Sequence, residues 1–271
     1  MTTPAKNSQR GLQMGFARIA TVATLALIAS TQVQAKEWTK IRIATEASYP
    51  PFAFTTADGQ LAGFEIELGN ALCAEAKVEC EWMPVDWDGL IPGLVAGKYD
   101  TIMASMSITP ERKERIDFSA KYYQTPPGVA VPKDSKITEA SVEGMAGALV
   151  GAQVGATHAV FAEDILSKSD VSMYPTADEY KLDLESGRLD AAIDDVVVLS
   201  DWLNSEEGAC CKLLGTMSSI PQIHGEGVGV GVRKGNQDLA DLFSKAVIAL
   251  RENGKYKEIN DKYFDFDAYG E

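Results

Sequence analysis

Short apolar runs alternate with helix-length amphipathic segments along most of the chain. The runs are Ile41 to Thr45, Cys80 to Met83, Thr101 to Ala104, Ala148 to Ala152, Val171 to Tyr174 and Ala191 to Ile193. Each has the length of a buried strand. Between the first two, Phe64, Leu68, Ala71, Leu72 and Ala76 fall close to one stripe of a helix. Near the end, Leu239, Leu242, Phe243, Ala246, Val247 and Leu250 repeat that pattern, with Asn236 placed as N-cap and Gly254 just past the C-terminus. Strands alternating with helices predict an α/β fold. No fixed-period repeat or low-complexity tract interrupts the alternation, which removes solenoid and disordered architectures.

Glycine and proline cluster at Gln124-Thr-Pro-Pro-Gly128 and again at Gln222-Ile-His-Gly-Glu-Gly227. These residues break elements and suit connections that bend. If the chain crosses out at the first cluster and back at the second, one lobe is built from both ends of the chain and the other from its middle. Two surface loops within one domain fit the composition equally well.

The first 35 residues contain Lys6, Arg10 and Arg18 and no acid, then the mainly apolar run Ile19 to Ile28, then Val33-Gln34-Ala35. This is the layout of an export signal, residues 1–35, and its apolar run is too short for a permanent span. The mature chain is expected to begin near Lys36 and to be soluble. Three of the 25 basic residues and none of the 39 acidic ones lie in that segment, so the formal charge of −14 becomes −17 on its removal. Such a balance opposes phosphate binding, so nucleic acid is not an expected partner, and it mildly favours cationic solutes.

Four cysteines fall in two close pairs, Cys73 with Cys80 and Cys210 with Cys211. Export permits oxidation, and a tight return between helix and strand would bring Cys73 and Cys80 within the roughly 4.4 to 6.8 Å between Cα atoms that a disulfide requires. Cys210 and Cys211 stay open between reduced thiols, a strained vicinal bridge and intermolecular pairing. With no C-x-x-C and only His158 and His224, the chain offers a poor zinc set, and no metal is expected.

Candidate chemistry concentrates at predicted strand ends, where open α/β sheets place their ligands. Glu46 follows the first strand and can pair a cation, although alone it reads as a solvated turn residue. Tyr49 and Phe52 flank Pro50-Pro51, and one of the two rings is expected to cap the core. Trp87 precedes the buried stripe of Leu90, Ile91 and Leu94, so its ring could face a cleft, with plain burial as the alternative. Ser105 and Ser107 share a direction if the strand geometry continues past Ala104. Thr109 and Pro110 then open a helix, which puts the Arg112 fork beside free amides, a setting suited to a carboxylate; a surface pair with Glu111 or Glu114 is the bland reading.

The segment Gly151-Ala-Gln153-Val-Gly155-Ala-Thr157-His158 could turn from strand to helix, with Thr157 as cap and possible carboxylate contact. It lacks the full G-x-G-x-x-G spacing, so no nicotinamide cofactor is expected. His158 reads as an exposed first-turn residue. Asp194 and Asp195 close another strand, and together they can meet an ammonium and cap the helix beginning at Val196. Adjacent on one segment, they do not flank a scissile bond as glycosidase carboxylates do.

With these residues placed, the chain resembles the periplasmic amino-acid-binding proteins of ABC importers, in the group for polar and basic amino acids. The resemblance rests on Thr45-Glu-Ala-Ser-Tyr-Pro-Pro-Phe52, Gly63-Phe-Glu-Ile-Glu-Leu-Gly-Asn-Ala-Leu-Cys73, Trp87-Asp-Gly-Leu-Ile-Pro, Ser107-Ile-Thr-Pro-Glu-Arg112, Gly187-Arg-Leu-Asp-Ala-Ala192 and Lys262-Tyr-Phe-Asp-Phe-Asp-Ala-Tyr-Gly270. It implies a type II periplasmic binding fold of two lobes, each a mixed sheet flanked by helices, joined by two hinge strands and closing on ligand. Lobe one would comprise 36–124 and 227–271, and lobe two 125–226.

In similar proteins Arg112 would bind the α-carboxylate with Ser107 and Thr157, and Asp195 the α-ammonium with Ser105. Tyr49 and Trp87 would stack on the side chain, Glu46 would meet its distal cation, and Gln153 and Asp194 would occupy variable pocket positions. The spacing of Cys73 and Cys80 resembles a disulfide of the basic amino-acid binders. The resemblance further implies a periplasmic monomer that is not an enzyme, has no cofactor and partners a membrane permease. Relatives often carry Asp where Glu46 stands; a Glu arm under a Trp face ranks arginine first, then lysine, ornithine and histidine, then opines. Rival readings are opine binding, a sensor that presents its ligand to a receptor, and a periplasmic cyclohexadienyl or arogenate dehydratase using Glu46 or Asp194 as acid.

Overall fold

The computed structural model describes residues 38–270, so the expected export signal lies outside the described residues. Strands are numbered in chain order. One five-stranded sheet runs β5 (Glu79–Pro84), β1 (Lys40–Thr45), β6 (Thr101–Ile102), β13 (Val228–Arg233), β7 (Ile116–Tyr123). A second runs β10 (Asp170–Tyr174), β9 (Leu149–Gln153), β11 (Ala191–Asp195), β8 (Pro127–Pro132), β12 (Cys211–Thr216). In each, three parallel strands are followed by two antiparallel neighbours. A small antiparallel sheet of β2 (Ser48–Tyr49), β3 (Ala53–Thr55) and β4 (Leu61–Ala62) completes the set.

The helices are α1 (Phe64–Ala76), α2 (Leu90–Val95), α3 (Pro110–Arg115), α4 (Thr157–Ile165), α5 (Ala177–Glu185), α6 (Val196–Leu203), α7 (Pro221–His224), α8 (Gln237–Glu252) and α9 (Lys255–Tyr263). This is a two-lobed α/β fold. The chain leaves the first sheet after Tyr123, enters the second at Pro127, and returns between Thr216 and Val228. Both passages contain the glycine- and proline-rich clusters of the sequence, where element-breaking residues let the backbone change direction.

The apolar stripes bury as their spacing requires. Phe64, Leu68 and Leu72 of α1 and Leu239, Phe243, Val247 and Leu250 of α8 lie in one core with Ile41 and Ile43 of β1. Phe52 stacks on Tyr123 at 4.5 Å between centroids and is fully buried, so Phe52 is the ring that caps the core. Val129, Val131, Val150, Phe161 and Ile193 form a second core around the other sheet. Gly63 precedes α1 at φ 117°, where an added Cβ would lie 2.3 Å from the Phe52 carbonyl oxygen, so the entry to α1 requires glycine.

One local expectation is corrected and others hold. Only Thr101 and Ile102 pair as strand, because Ser105 at φ 52° turns the following segment out of extended geometry. Asn236 stands at the N-cap of α8 as expected, although its side chain makes no capping bond, and the helix ends at Glu252 with Asn253 as C-cap and left-handed Gly254 just past it, at the start of α9. Cys73 at the end of α1 and Cys80 in β5 form a disulfide with Cα atoms 6.2 Å apart. Cys210 and Cys211 are free thiols, Cys211 buried, and burial first, then the neighbouring Cys210, pushes its thiol up to about 12.

Candidate functional site

The carboxyl ends of the parallel strands β1, β6, β9 and β11 open on one cleft between the two sheets. Parallel strands end in loops whose backbone groups the sheet leaves unpaired, which is why such ends collect ligand-facing residues. Glu46, Tyr49, Trp87, Ser105, Ser107, Arg112, Gln153, Thr157 and Asp195 all line this cleft. The nine sequence-selected side chains therefore share one cavity, although they are spread over 150 residues of chain.

Arg112 is held by local helix chemistry. The Thr109 hydroxyl accepts from the Arg112 amide at 3.2 Å and Pro110 occupies the first turn, so α3 starts where the sequence places it. The guanidinium pairs with neither Glu111 nor Glu114. Its Nη1 donates to the Ser107 carbonyl at 3.1 Å, its Nη2 to the Gly155 carbonyl at 3.1 Å, and it lies 5.2 Å from the centre of the Trp87 ring. Burial lowers its pKa to about 10, which leaves the group charged at neutral pH.

Opposite stand carboxylates. Glu46 is buried and accepts from Gln153 Nε2 at 2.8 Å, while that nitrogen also donates to the Pro175 carbonyl at 3.1 Å. Burial raises Glu46 to about 7 against the pull of the Gln153 bond. Asp195 caps α6, accepting the Val197 amide at 2.8 Å, and receives the Thr125 hydroxyl from the crossing segment. Burial raises it to about 6.

Asp194 takes a different role from its neighbour. It accepts from Tyr49 at 2.5 Å, from Tyr180, and from the Asp195 amide at 2.7 Å, and it lies 3.1 Å from His158 Nδ1. Burial pushes its carboxyl up, but His158, Tyr180 and Tyr49 outweigh this and leave it below the ordinary range. Behind Ser105, fully buried Glu65 accepts the Ser105 amide at 2.7 Å and the Tyr122 hydroxyl, and burial raises it to about 7.

Two expectations at α4 are corrected. Thr157 is the first helical residue, so Ala156 takes the N-cap and no side chain caps the helix. His158 is not an exposed first-turn residue: its side chain is 14% exposed and turns toward Asp194, a partner the fold supplies from 36 residues away.

The chain matches the model of bacterial extracellular solute-binding proteins, family 3, over residues 41–266. It belongs to that family. The L-arginine-binding protein of Pseudomonas aeruginosa is 44% identical over 233 residues, covering 85% of this chain and 90% of that protein. The lysine/arginine/ornithine-binding periplasmic protein of Escherichia coli is 37% identical over 234 residues, covering 85% and 90%. A solved structure of an ancestral arginine-binding protein bound to arginine aligns with TM-score 0.76 at 34% identity, covering 83% of this chain and 98% of that one.

In this family 3 chain the cleft has further lining that sequence reasoning did not select: Tyr123, Thr125, His158, Ser219 and His224 among others. Thr125 and His224 lie in the two glycine- and proline-rich clusters, which the sequence marked as bends and not as sites. A hydroxyl and an imidazole inside such clusters were the available signal.

Proposed function

We propose that this chain is the periplasmic solute-binding component of an ABC importer and carries a basic amino acid, arginine first, then lysine, ornithine or histidine. One observation carries the reading: a half-buried guanidinium and two buried carboxylates, Arg112 against Glu46 and Asp195, face one cleft. That arrangement complements a ligand with one carboxylate and two cations, and a buried charge left without such a counterpart is costly. Relatives named for arginine and for lysine, arginine and ornithine support it.

In this reading Arg112, Ser107 and Thr157 take the α-carboxylate, and Asp195 with Ser105 takes the α-ammonium. Tyr49 and Trp87 flank the side chain, Glu46 meets its distal cation, and Gln153 fixes the Glu46 carboxylate. Lobe one runs 36–124 and 227–271 and lobe two 125–226. Closure about the two crossings buries the ligand and presents the closed monomer to a membrane permease, after removal of residues 1–35 on export. It is a carrier without turnover.

Isothermal titration of the ligand-stripped mature protein against arginine, lysine, ornithine, histidine, glutamine and octopine tests this. Tightest binding of a basic amino acid is the expected result, with no phenylpyruvate released from prephenate. Silence across the panel would reject it.

A further inference from the structure

His224 lies at the end of α7, on the returning crossing, and lines the cleft. Its Nδ1 accepts the Ile220 amide at 3.0 Å. That bond fixes the tautomer, because an accepting nitrogen carries no proton and the ring hydrogen must sit on Nε2. Nε2 is fully buried and has no hydrogen-bonding partner among the described residues. Burial first, then the nearby His158 ring, lowers the imidazole to about 4, so it is a neutral donor at ordinary pH.

The ring is not free to turn away. It packs against Phe161 at 5.2 Å and His158 at 5.9 Å between centroids. The next residue, Gly225 at φ 70°, lies so close to the Ile108 carbonyl that a Cβ would come within 2.1 Å of its oxygen. Glu226 donates its amide to the same carbonyl at 3.3 Å and pairs with Lys113 at 3.0 Å. The segment carrying His224 is thereby clamped to the segment carrying Ser107 and Arg112.

We infer that His224 is a ligand-contacting residue, whose Nε2–H donates to the carboxylate of the bound amino acid beside Arg112. The inference rests on the basic amino-acid reading, which supplies its chemistry. Guanidinium and ammonium groups only donate, so the carboxylate is the one acceptor on arginine, lysine or ornithine that this N–H can meet. The Arg112 fork already spends one hydrogen of each Nη on a backbone carbonyl. Beside Arg112, Ser107 and Thr157, a carboxylate with about four acceptor sites can take a further donor, and a neutral imidazole adds one without further buried charge. An unmet buried N–H is costly, which biases the closed cleft toward ligands whose carboxylate reaches it.

Two amide substitutions separate this role from simple packing. The amide of Asn overlays the Nδ1 side of the ring, so His224→Asn keeps the acceptor for Ile220 and removes the donor in the cleft. The longer Gln places its NH2 near Nε2, so His224→Gln keeps the donor and loses the Ile220 bond. In titrations with arginine, His224→Asn is expected to weaken binding by about tenfold or more, the loss typical of a hydrogen bond to a charged group, and His224→Gln to stay near the wild type. Wild-type affinity in the Asn variant, or an equal loss in the Gln variant, overturns the inference.

If either variant melts well below the wild type, 15N spectra of histidine-labelled wild-type protein decide the matter. Arginine should shift the Nε2–H resonance of His224 and slow its exchange, and an unchanged resonance at saturation overturns the inference alone. A wild type that binds no basic amino acid overturns both this inference and the reading it rests on.

Discussion

Arg112 and the buried carboxylates set the chemistry at the scale of single residues. Arg112→Met would leave a bound carboxylate without its charged partner in a buried cleft, and arginine affinity should fall by about 2 to 5 kcal/mol when titrated calorimetrically. The carboxylates predict a pH dependence whose sign follows from linkage. Burial raises Glu46 and Glu65 to about 7 and Asp195 to about 6, so each favours the folded state while protonated. Their contribution to the ligand-free protein is complete below their ordinary range near pH 4 and is lost as pH rises through 6 to 7. A bound cation reverses the preference of Glu46 and Asp195 and expels their protons. Arginine affinity should therefore rise between pH 5.5 and 8, by up to about tenfold per pH unit for each proton released. Calorimetry in buffers of different ionisation enthalpy counts those protons, and a flat profile with no proton release would contradict the assignment.

At the scale of elements, several side chains serve the local fold and the cleft together. Asp195 caps α6 and faces the cleft. Asn caps helices about as well as Asp, so Asp195→Asn should change stability at pH 7 by less than about 1 kcal/mol while abolishing most arginine binding. A large drop in melting temperature would show that its charge serves α6 first. The Cys73–Cys80 disulfide, with a sequence separation of 7, joins the end of α1 to edge strand β5, away from the cleft. Replacing both cysteines by serine should cost about 2 to 3 kcal/mol, the chain-entropy value for so short a loop, read from denaturant unfolding, with arginine affinity unchanged.

At the scale of the whole molecule, polar contacts cross from one sheet's elements to the other's. Tyr49 reaches Asp194, Gln153 reaches Glu46, and Arg112 reaches the Gly155 carbonyl. If the cleft closes on ligand as proposed, these contacts belong to the closed form and add to what closure gains besides the ligand. Tyr49→Phe removes the hydroxyl and leaves Asp194 with Tyr180 and His158. Arginine should then bind about tenfold more weakly, as for one hydrogen bond to a charged group. The arginine-induced decrease in radius of gyration, followed by small-angle X-ray scattering, should need correspondingly more ligand. An unchanged titration would mean that this contact does not contribute to closure.

The sequence by itself determined the α/β alternation, the stripes of α1 and α8, the Thr109-Pro110 start of α3 and the capping of α6 by Asp195. Each depends on periodicity or on atoms within a few residues, and so is written locally. It also marked nine of the residues that line the cleft, because strand ends followed by polar and aromatic side chains are visible in order along the chain. Only the tertiary structure decided what those side chains meet. Arg112 bonds two carbonyls and not a nearby acid, Asp194 gathers two tyrosines and a histidine, and His158 is mostly enclosed. His224 enters the cleft from a bend that composition marked only as a crossing. Hydrogen-bond partners 36 to 145 residues apart carry no signature in spacing. The pKa shifts follow the same division, since burial is their largest cause and burial belongs to the assembled fold.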